Sequence, residues 1–364
     1  MTSASKFRPA TILFLGCVAA LAAMGLLVAV SAAPPGESGS VLMRHGSFLA
    51  VAACAFAVGM KLDPNTVRNY SLHVSIALWL LLSSMLFTGI GYTANAATRW
   101  IKVGPLSLQP SLFLQVLWPI LLSSWIAKDP LRVKSVKPIL KMLGVFMLLM
   151  IPVLFQPDVG SVAILLVVSG SVMLFAGLPA RVLLFSVPVL LLIGALILFI
   201  FPHFSARLDS WSGGVPEQVL HAHDAFRHGG WFGAGPGNGV LKFGYIPEST
   251  TDFVLALIAE EWGMVGTLLV WALFMAFTFL GLRVARQSSH RYGILLMGAT
   301  TVVISFQAAY NMAMVVGALP VKGLPLPFVS RGGSSLIALS LLLGIAINAT
   351  RTNMRHKTST FGLQ

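Results

Sequence analysis

The chain has 364 residues, of which 57% are hydrophobic and only 10% charged, so it lacks the polar surface of a water-soluble domain, where about a quarter of residues are charged. Its net charge of +13 does not argue for nucleic acid, because Lys and Arg sit in short loops between apolar runs and not in a basic stripe. With a mean hydropathy of +0.87, the expectation is an all-α polytopic membrane protein that forms one membrane domain over residues 1–364. Cys17 and Cys54 both fall inside apolar runs and support neither a disulfide framework nor a metal site.

Ten candidate spans follow along the chain: 11–33, 45–60, 72–93, 110–127, 138–155, 159–178, 182–202, 252–282, 292–318 and 328–349. The first ends before Pro34, is long for a signal-peptide core, and reads as a retained span. The second and fourth are short, and the fourth holds Gln115, Trp118 and Pro119. No internal repeat is visible, which weakens an inverted-repeat transporter. With the N-terminus inside, 16 of the 24 Lys and Arg residues fall in inner loops, so both termini are expected to be cytoplasmic. The acids distribute oppositely: only Asp63 and Asp129 are inside, and the longest loop, 203–251, is outside. Within it, Val215 to His228 suits a surface helix, with Pro216 in its first turn and Gly229 as its stop.

The strongest local feature is PESTTDF, Pro247 to Phe253, which leads into the eighth span. Asp252 at the mouth of a bundle suits a general base, strengthened by partial desolvation and by the neighbouring Glu248. Ser, Thr and Asp before an apolar run also cap helices, and on residue types alone capping is the better reading. Glu260 and Glu261 lie a further 12–13 Å along a helix, at about 1.5 Å per residue, where acids are costly. A substrate path and a buried polar tie between helices explain them equally well. Arg99, Lys102, Lys322 and Arg331 stand next to spans on the outer face, as a diphosphate clamp or as headgroup anchors. Lys322 and Arg331 flank a stretch rich in proline and glycine, 319–335, whose broken backbone suits a cavity wall. The glycine-rich run 229–239 is not a dinucleotide fingerprint and reads as a flexible loop. His221, His223, Asp224 and His228 are metal-capable types, but scattered loop histidines are the commoner case. Asp158, between spans five and six, reads first as a helix cap.

Taken in order, these segments resemble the SEDS family (shape, elongation, division and sporulation). The matching pieces are RWIKVG from Arg99, QPS from Gln109, QPDVG from Gln156, GGWFGAG from Gly229, PESTTDF from Pro247, AEEWG from Ala259, LPVKG from Leu319 and SRGGSS from Ser330. The stretch from Ala225 leans toward the FtsW branch. The resemblance implies a ten-span fold and a peptidoglycan glycosyltransferase that polymerises lipid II at the outer face of the bacterial cytoplasmic membrane, at the division septum. It implies Asp252 as the catalytic residue, with Arg99, Lys102, Gln109, Asp158, Glu248, Lys322, Ser330 and Arg331 as substrate-binding candidates. It also implies a class B penicillin-binding protein and other division proteins as partners, with no nucleic acid. A divalent cation, Mg or Mn, is a further candidate for offsetting the leaving charge. The chain departs from the family pattern where Leu112 and Gln115 replace a Glu and a Lys, where Thr250 replaces a His, and where Arg331 replaces a Tyr. The rival readings are a lipid II flippase, which would use Glu260, Glu261 and the broken stretch as a path, and an inactive scaffold for division partners.

Overall fold

A computed structural model describes residues 8–34, 36–88, 91–94, 97–103, 106–156, 158–179, 181–182, 184, 214–240 and 250–352. Ten α-helices run through these residues: α1 (Pro9–Ser31), α2 (Ser38–Lys61), α3 (Pro64–Phe87), α4 (Leu114–Lys128), α5 (Val136–Phe155), α6 (Val159–Phe175), α7 (Glu217–Gly229), α8 (Val254–Arg286), α9 (Arg291–Val315) and α10 (Gly333–Arg351). Eight helical segments are long and apolar enough to cross a membrane, the fourth of them Pro110–Lys128; α6 is a shorter apolar helix. The expected seventh span, 182–202, lies almost wholly outside the described residues. The expected surface helix is α7, which starts after Pro216 and ends where Gly230 turns left-handed at φ +52°.

The helix ends follow from their local sequence. Asp63 accepts a hydrogen bond from the Thr66 amide at 3.0 Å and Pro64 opens α3, while Asp158 caps α6 through the Ser161 amide. Of the helices that end at the side assigned to the cytoplasm, α2, α4, α8 and α10 carry Lys or Arg in their last turn and α6 does not. Helices α1, α3, α5 and α9 end at the other side without one. The same residues therefore complement the helix dipole and set the threading. Cross-links at the inner end agree: Arg8 donates to the Gln287 carbonyl, Asn348 to that of Leu62 and Arg291 to that of Ala176.

Helices α4, α9 and α10 form the buried centre, whereas α1, α2, α3, α5 and α8 present apolar side chains such as Leu13, Leu80, Leu148 and Trp271 outward. That exposed apolar ring is the lipid-facing surface. Helices α2 and α10 meet backbone to backbone at Gly59 and Gly344, where a Cβ on Gly59 would sit 2.6 Å from the Leu341 carbonyl oxygen.

Two expectations change. The second span is not short: α2 has 24 residues. The third ends early, at Phe87, because the chain turns into a small antiparallel sheet: β1 (Tyr92–Ala94), β2 (Ala97–Val103) and β3 (Leu106–Leu108), in the order β1-β2-β3. The helical reading holds for the other spans that the described residues cover, and this outer sheet is the one β addition among those residues.

Candidate active site

A cavity of about 830 Å³ opens at the outer end of the bundle. Six segments that are distant in sequence build its walls: the start of α2, the β2–α4 stretch, the start of α6, Gln218 of α7, the turn before α8, and the broken segment leading into α10. Asp252, Arg99, Gln109, Asp158, Lys322 and Arg331 all line it. Lys102 pairs with Ser107 in the β2–β3 register, but its side chain lies outside the described part, as does all of Glu248.

Asp252 is not the cap of α8. The helix begins at Val254, its N-cap position is Phe253, and no side-chain cap bond forms there. Asp252 belongs to a turn whose backbone is held from below. Asn311, fully buried on α9, donates from Nδ2 to the carbonyls of both Asp252 and Leu324, each at 2.7 Å. The Arg331 amide donates to the Thr250 carbonyl at 3.0 Å, and the Ser330 hydroxyl donates to the Thr251 carbonyl. Oδ2 of Asp252 lies 3.1 Å from where a Gly323 Cβ would be. The carboxylate is thereby fixed at the wall next to the broken segment. Ser330, expected to bind substrate, is instead buried beneath the wall: its oxygen also accepts from the Leu326 amide.

The broken segment is fastened along α9. Gln307 donates to the Pro325 carbonyl and Tyr310 to the Pro320 carbonyl, both at 3.1 Å. With Asn311, these residues form an i, i+3, i+4 polar stripe on an otherwise apolar helix, which satisfies carbonyls that proline and the chain break leave without helical partners. Phe328 holds φ at +63°, a conformation a non-glycine residue keeps only when its surroundings enforce it; it is buried and packs near Phe277.

Asp158 does more than cap. It is buried and accepts from the Ser161 hydroxyl at 2.7 Å, the Ser111 hydroxyl at 3.2 Å and Gln109 Nε2 at 3.4 Å. Burial opposes its ionisation, but the positive charges of Lys322 and then Arg99, with the Ser161 hydrogen bonds, outweigh it and hold the carboxyl below the ordinary aspartate range. Lys322 crosses directly over Gly160, where an added Cβ would come within 2.6 Å of Nζ. Arg99 donates from Nε to the Gln156 carbonyl. Leu112 and Gln115, which stand where a charge pair was expected, leave the entry to α4 without that tie. Gln109 and Ser111 bond to Asp158 there, and Trp118 donates to the Ser169 hydroxyl at 2.8 Å.

Glu260 and Glu261 are both buried and bonded within the protein. Glu260 accepts from the Val240 amide at 2.7 Å and contacts His228 Nδ1 at 3.1 Å, while the Ser31 hydroxyl donates to Glu261. The glycine-rich run is clamped, contrary to its reading as a flexible loop. Ala234 and Gly235 donate to the carbonyls of Glu260 and Glu261, and Gly230 and Trp231 accept from Met264 and Val265. Gly263 makes this possible: its φ of +68° breaks α8 and frees those backbone groups. The metal-capable histidines diverge, His221 toward Glu217, His223 to the Val316 carbonyl and His228 to Glu260. Among the described residues no group of three or more His, Cys, Asp or Glu side chains converges as a seat for Mg or Mn.

The family model FTSW_RODA_SPOVE, described as cell cycle protein, matches residues 11–355. A probable peptidoglycan glycosyltransferase FtsW from Alcanivorax borkumensis is 33% identical over 322 residues, covering 84% of this chain and 83% of that protein. One from Aliivibrio salmonicida is 32% identical over 341 residues, covering 89% and 84%. Among solved structures, a chain from work on the structural coordination of polymerization and crosslinking by a peptidoglycan synthase complex superposes with a TM-score of 0.77 at 25% identity, covering 93% of this chain and 96% of that one. The rod shape determining protein RodA of Thermus thermophilus superposes with a TM-score of 0.67 at 25% identity, covering 93% and 95%.

Proposed function

The chain belongs to the FtsW, RodA and SpoVE family of cell cycle proteins, and on that premise we propose that it extends glycan strands from lipid II, with Asp252 as the general base. It is a multi-pass membrane protein and a peptidoglycan glycosyltransferase. The observation that carries the assignment of the base is Asp252 on a turn whose backbone carbonyls are held by Asn311, Ser330 and the Arg331 amide, at the wall of a cavity that also holds Lys322 and Arg99.

Asp252 takes the proton from the GlcNAc 4-hydroxyl of one lipid II. The resulting oxygen attacks the anomeric carbon of MurNAc at the end of the other strand, and undecaprenyl diphosphate leaves from the opposite face. Such a displacement inverts the anomer through an oxocarbenium-like transition state. Lys322 and Arg99 offset the negative charge that grows on the diphosphate. Asp158 positions both cations by the attraction of its ionised carboxylate, which also caps α6. Arginine and lysine supply this offset from the chain's own side chains, and a divalent cation held between the diphosphate and a single carboxylate would add to it. The flippase reading loses its main support, because Glu260 is tied to Val240 and His228 and Glu261 to Ser31 of α1, while the backbone carbonyls of both hold the glycine-rich loop.

We place the protein in the bacterial cytoplasmic membrane at the division septum, with a class B penicillin-binding protein as its crosslinking partner. The test is purified protein in liposomes supplied with lipid II, with and without that partner. Glycan chains that lengthen with time support the proposal. Translocation of lipid II with no chain growth under either condition would refute it.

A further inference from the structure

Lys322 and Arg99 are partly neutralised, because both act on the buried Asp158. Another pair of cations lines the same cavity without such compensation. Arg44, at the start of α2, and Arg331, just before α10, are close enough to repel one another, and neither has an ion-pair partner among the described residues. Two guanidiniums lining one cavity with no carboxylate partner among the described residues repel one another, and a bridging anion relieves that repulsion.

Two further features lie beside this pair, one behind the cavity wall and one in its lining. His45, next to Arg44, is 1% exposed with neither ring nitrogen hydrogen-bonded, and it lies within electrostatic range of Arg331. Helix α10 starts beside the pair with no side-chain cap at Gly332, and Gly333, Ser334 and Ser335 of its first turn line the cavity. The positive end of the helix dipole therefore adds to the two arginines.

Arg331 is bonded to the Thr250 end of the catalytic turn, whereas Gly323, next to Lys322, abuts its Asp252 end. A reaction that joins two lipid-linked sugars must hold two diphosphates, one on each reactant. We infer that Arg44 and Arg331, backed by His45, form a second diphosphate seat at the far end of this turn from Lys322, and that it takes the headgroup of one of the two lipid-linked substrates. This inference rests on the polymerase reading above. Planar guanidinium pairs suit the several oxygens of a diphosphate better than the fewer of a monophosphate.

The test measures binding of undecaprenyl diphosphate and of undecaprenyl monophosphate to the full chain, alongside chain growth from lipid II. The variants are Arg44→Gln, Arg331→Gln and Arg44→Lys. Each glutamine variant is expected to weaken diphosphate binding and raise KM about tenfold, with kcat changed less than about threefold. Arg44→Lys keeps the charge but loses the fork, so its affinity should fall between those of wild type and Arg44→Gln, and thermal unfolding at the wild-type midpoint shows that the fold is intact. Diphosphate binding as in wild type in both glutamine variants overturns the seat, and so does a loss confined to kcat. If wild type lengthens glycan and Arg44→Gln is unaffected, the seat alone fails. If wild type binds the diphosphate through Arg44 yet grows no chain, the seat stands and the polymerase reading fails.

Discussion

The Ser111 hydroxyl donates to the Asp158 carboxylate at 3.2 Å across 47 residues of sequence, and this bond joins the QPS segment to the QPDVG segment at the cavity wall. Asp158 thereby receives hydroxyl and amide donors from one side and the charges of Lys322 and Arg99 from the other. Asp158→Asn keeps an acceptor for the Ser161 amide but removes the charge that positions the cations. We expect chain growth to fall at least about tenfold, as displaced transition-state partners do. Asp158→Ala also loses the cap and should be less stable than Asp158→Asn by about 1 kcal/mol in thermal unfolding. Wild-type rates in Asp158→Asn would remove the residue from the mechanism.

The depressed Asp158 carboxyl makes a pH prediction whose sign is fixed. A group ionised more readily in the folded than in the unfolded protein contributes stability above its unfolded value, ordinarily near 3.8, and loses it as pH falls through its folded value. The thermal midpoint should therefore drop more steeply in wild type than in Asp158→Asn as pH is lowered below about 4. Parallel profiles would show that Asp158 is not held ionised by its neighbours.

Gly160 and Gly144 are both helical glycines, and alanine should act oppositely at the two. A Cβ at Gly160 collides with the Lys322 side chain, whereas one at Gly144 meets nothing within 4 Å. Gly144→Ala should leave activity unchanged and stabilise α5 by about 0.5–1 kcal/mol. Gly160→Ala should lower chain growth about tenfold by displacing Lys322. Equal activity in the two variants would contradict the placement of Lys322.

Asn311→Leu removes the two hydrogen bonds that Nδ2 donates to the Asp252 and Leu324 carbonyls. The expected loss is about 2–4 kcal/mol of stability, with kcat reduced more than KM is raised. Kinetics and thermal unfolding on the same preparation separate the two effects. A variant with unchanged kcat would show that the Asp252 turn does not depend on α9.

Gly263→Ala tests the clamp. Its φ of +68° costs an L-residue about 1–2 kcal/mol, and an added Cβ would meet the Trp231 carbonyl group and the Gly233 amide at 2.5 Å. Residues 229–239 should become accessible to proteolysis well before the rest of the chain. Protection equal to wild type would mean that the break in α8 is not what holds the loop.

Composition and span length made the bundle legible, because about 20 apolar residues per crossing and the Lys and Arg bias are local properties of the chain. Helix ends were less so. The apolar run past Phe87 continues into a sheet, and the pattern of hydropathy does not mark where helix gives way to strand. At the site, motif order pointed to Asp252, Arg99, Lys322 and Asp158, and these do converge. Residue types alone misassigned Asp252 as a cap, since a cap and a base look the same before an apolar run. Asn311 was missed altogether, although Gln307, Tyr310 and Asn311 at helical spacing in an apolar segment were a readable signal. Arg44 and His45 were missed for another reason: only tertiary packing brings the start of α2 beside Arg331.

The most direct measurement of the central claim is chain growth from lipid II in liposomes by wild type and by Asp252→Asn, with undecaprenyl diphosphate binding recorded for both. The expected result is no glycan from Asp252→Asn, with diphosphate binding within about threefold of wild type, because the variant removes the base and leaves the cations in place. Glycan of normal length and rate from Asp252→Asn would contradict the assignment.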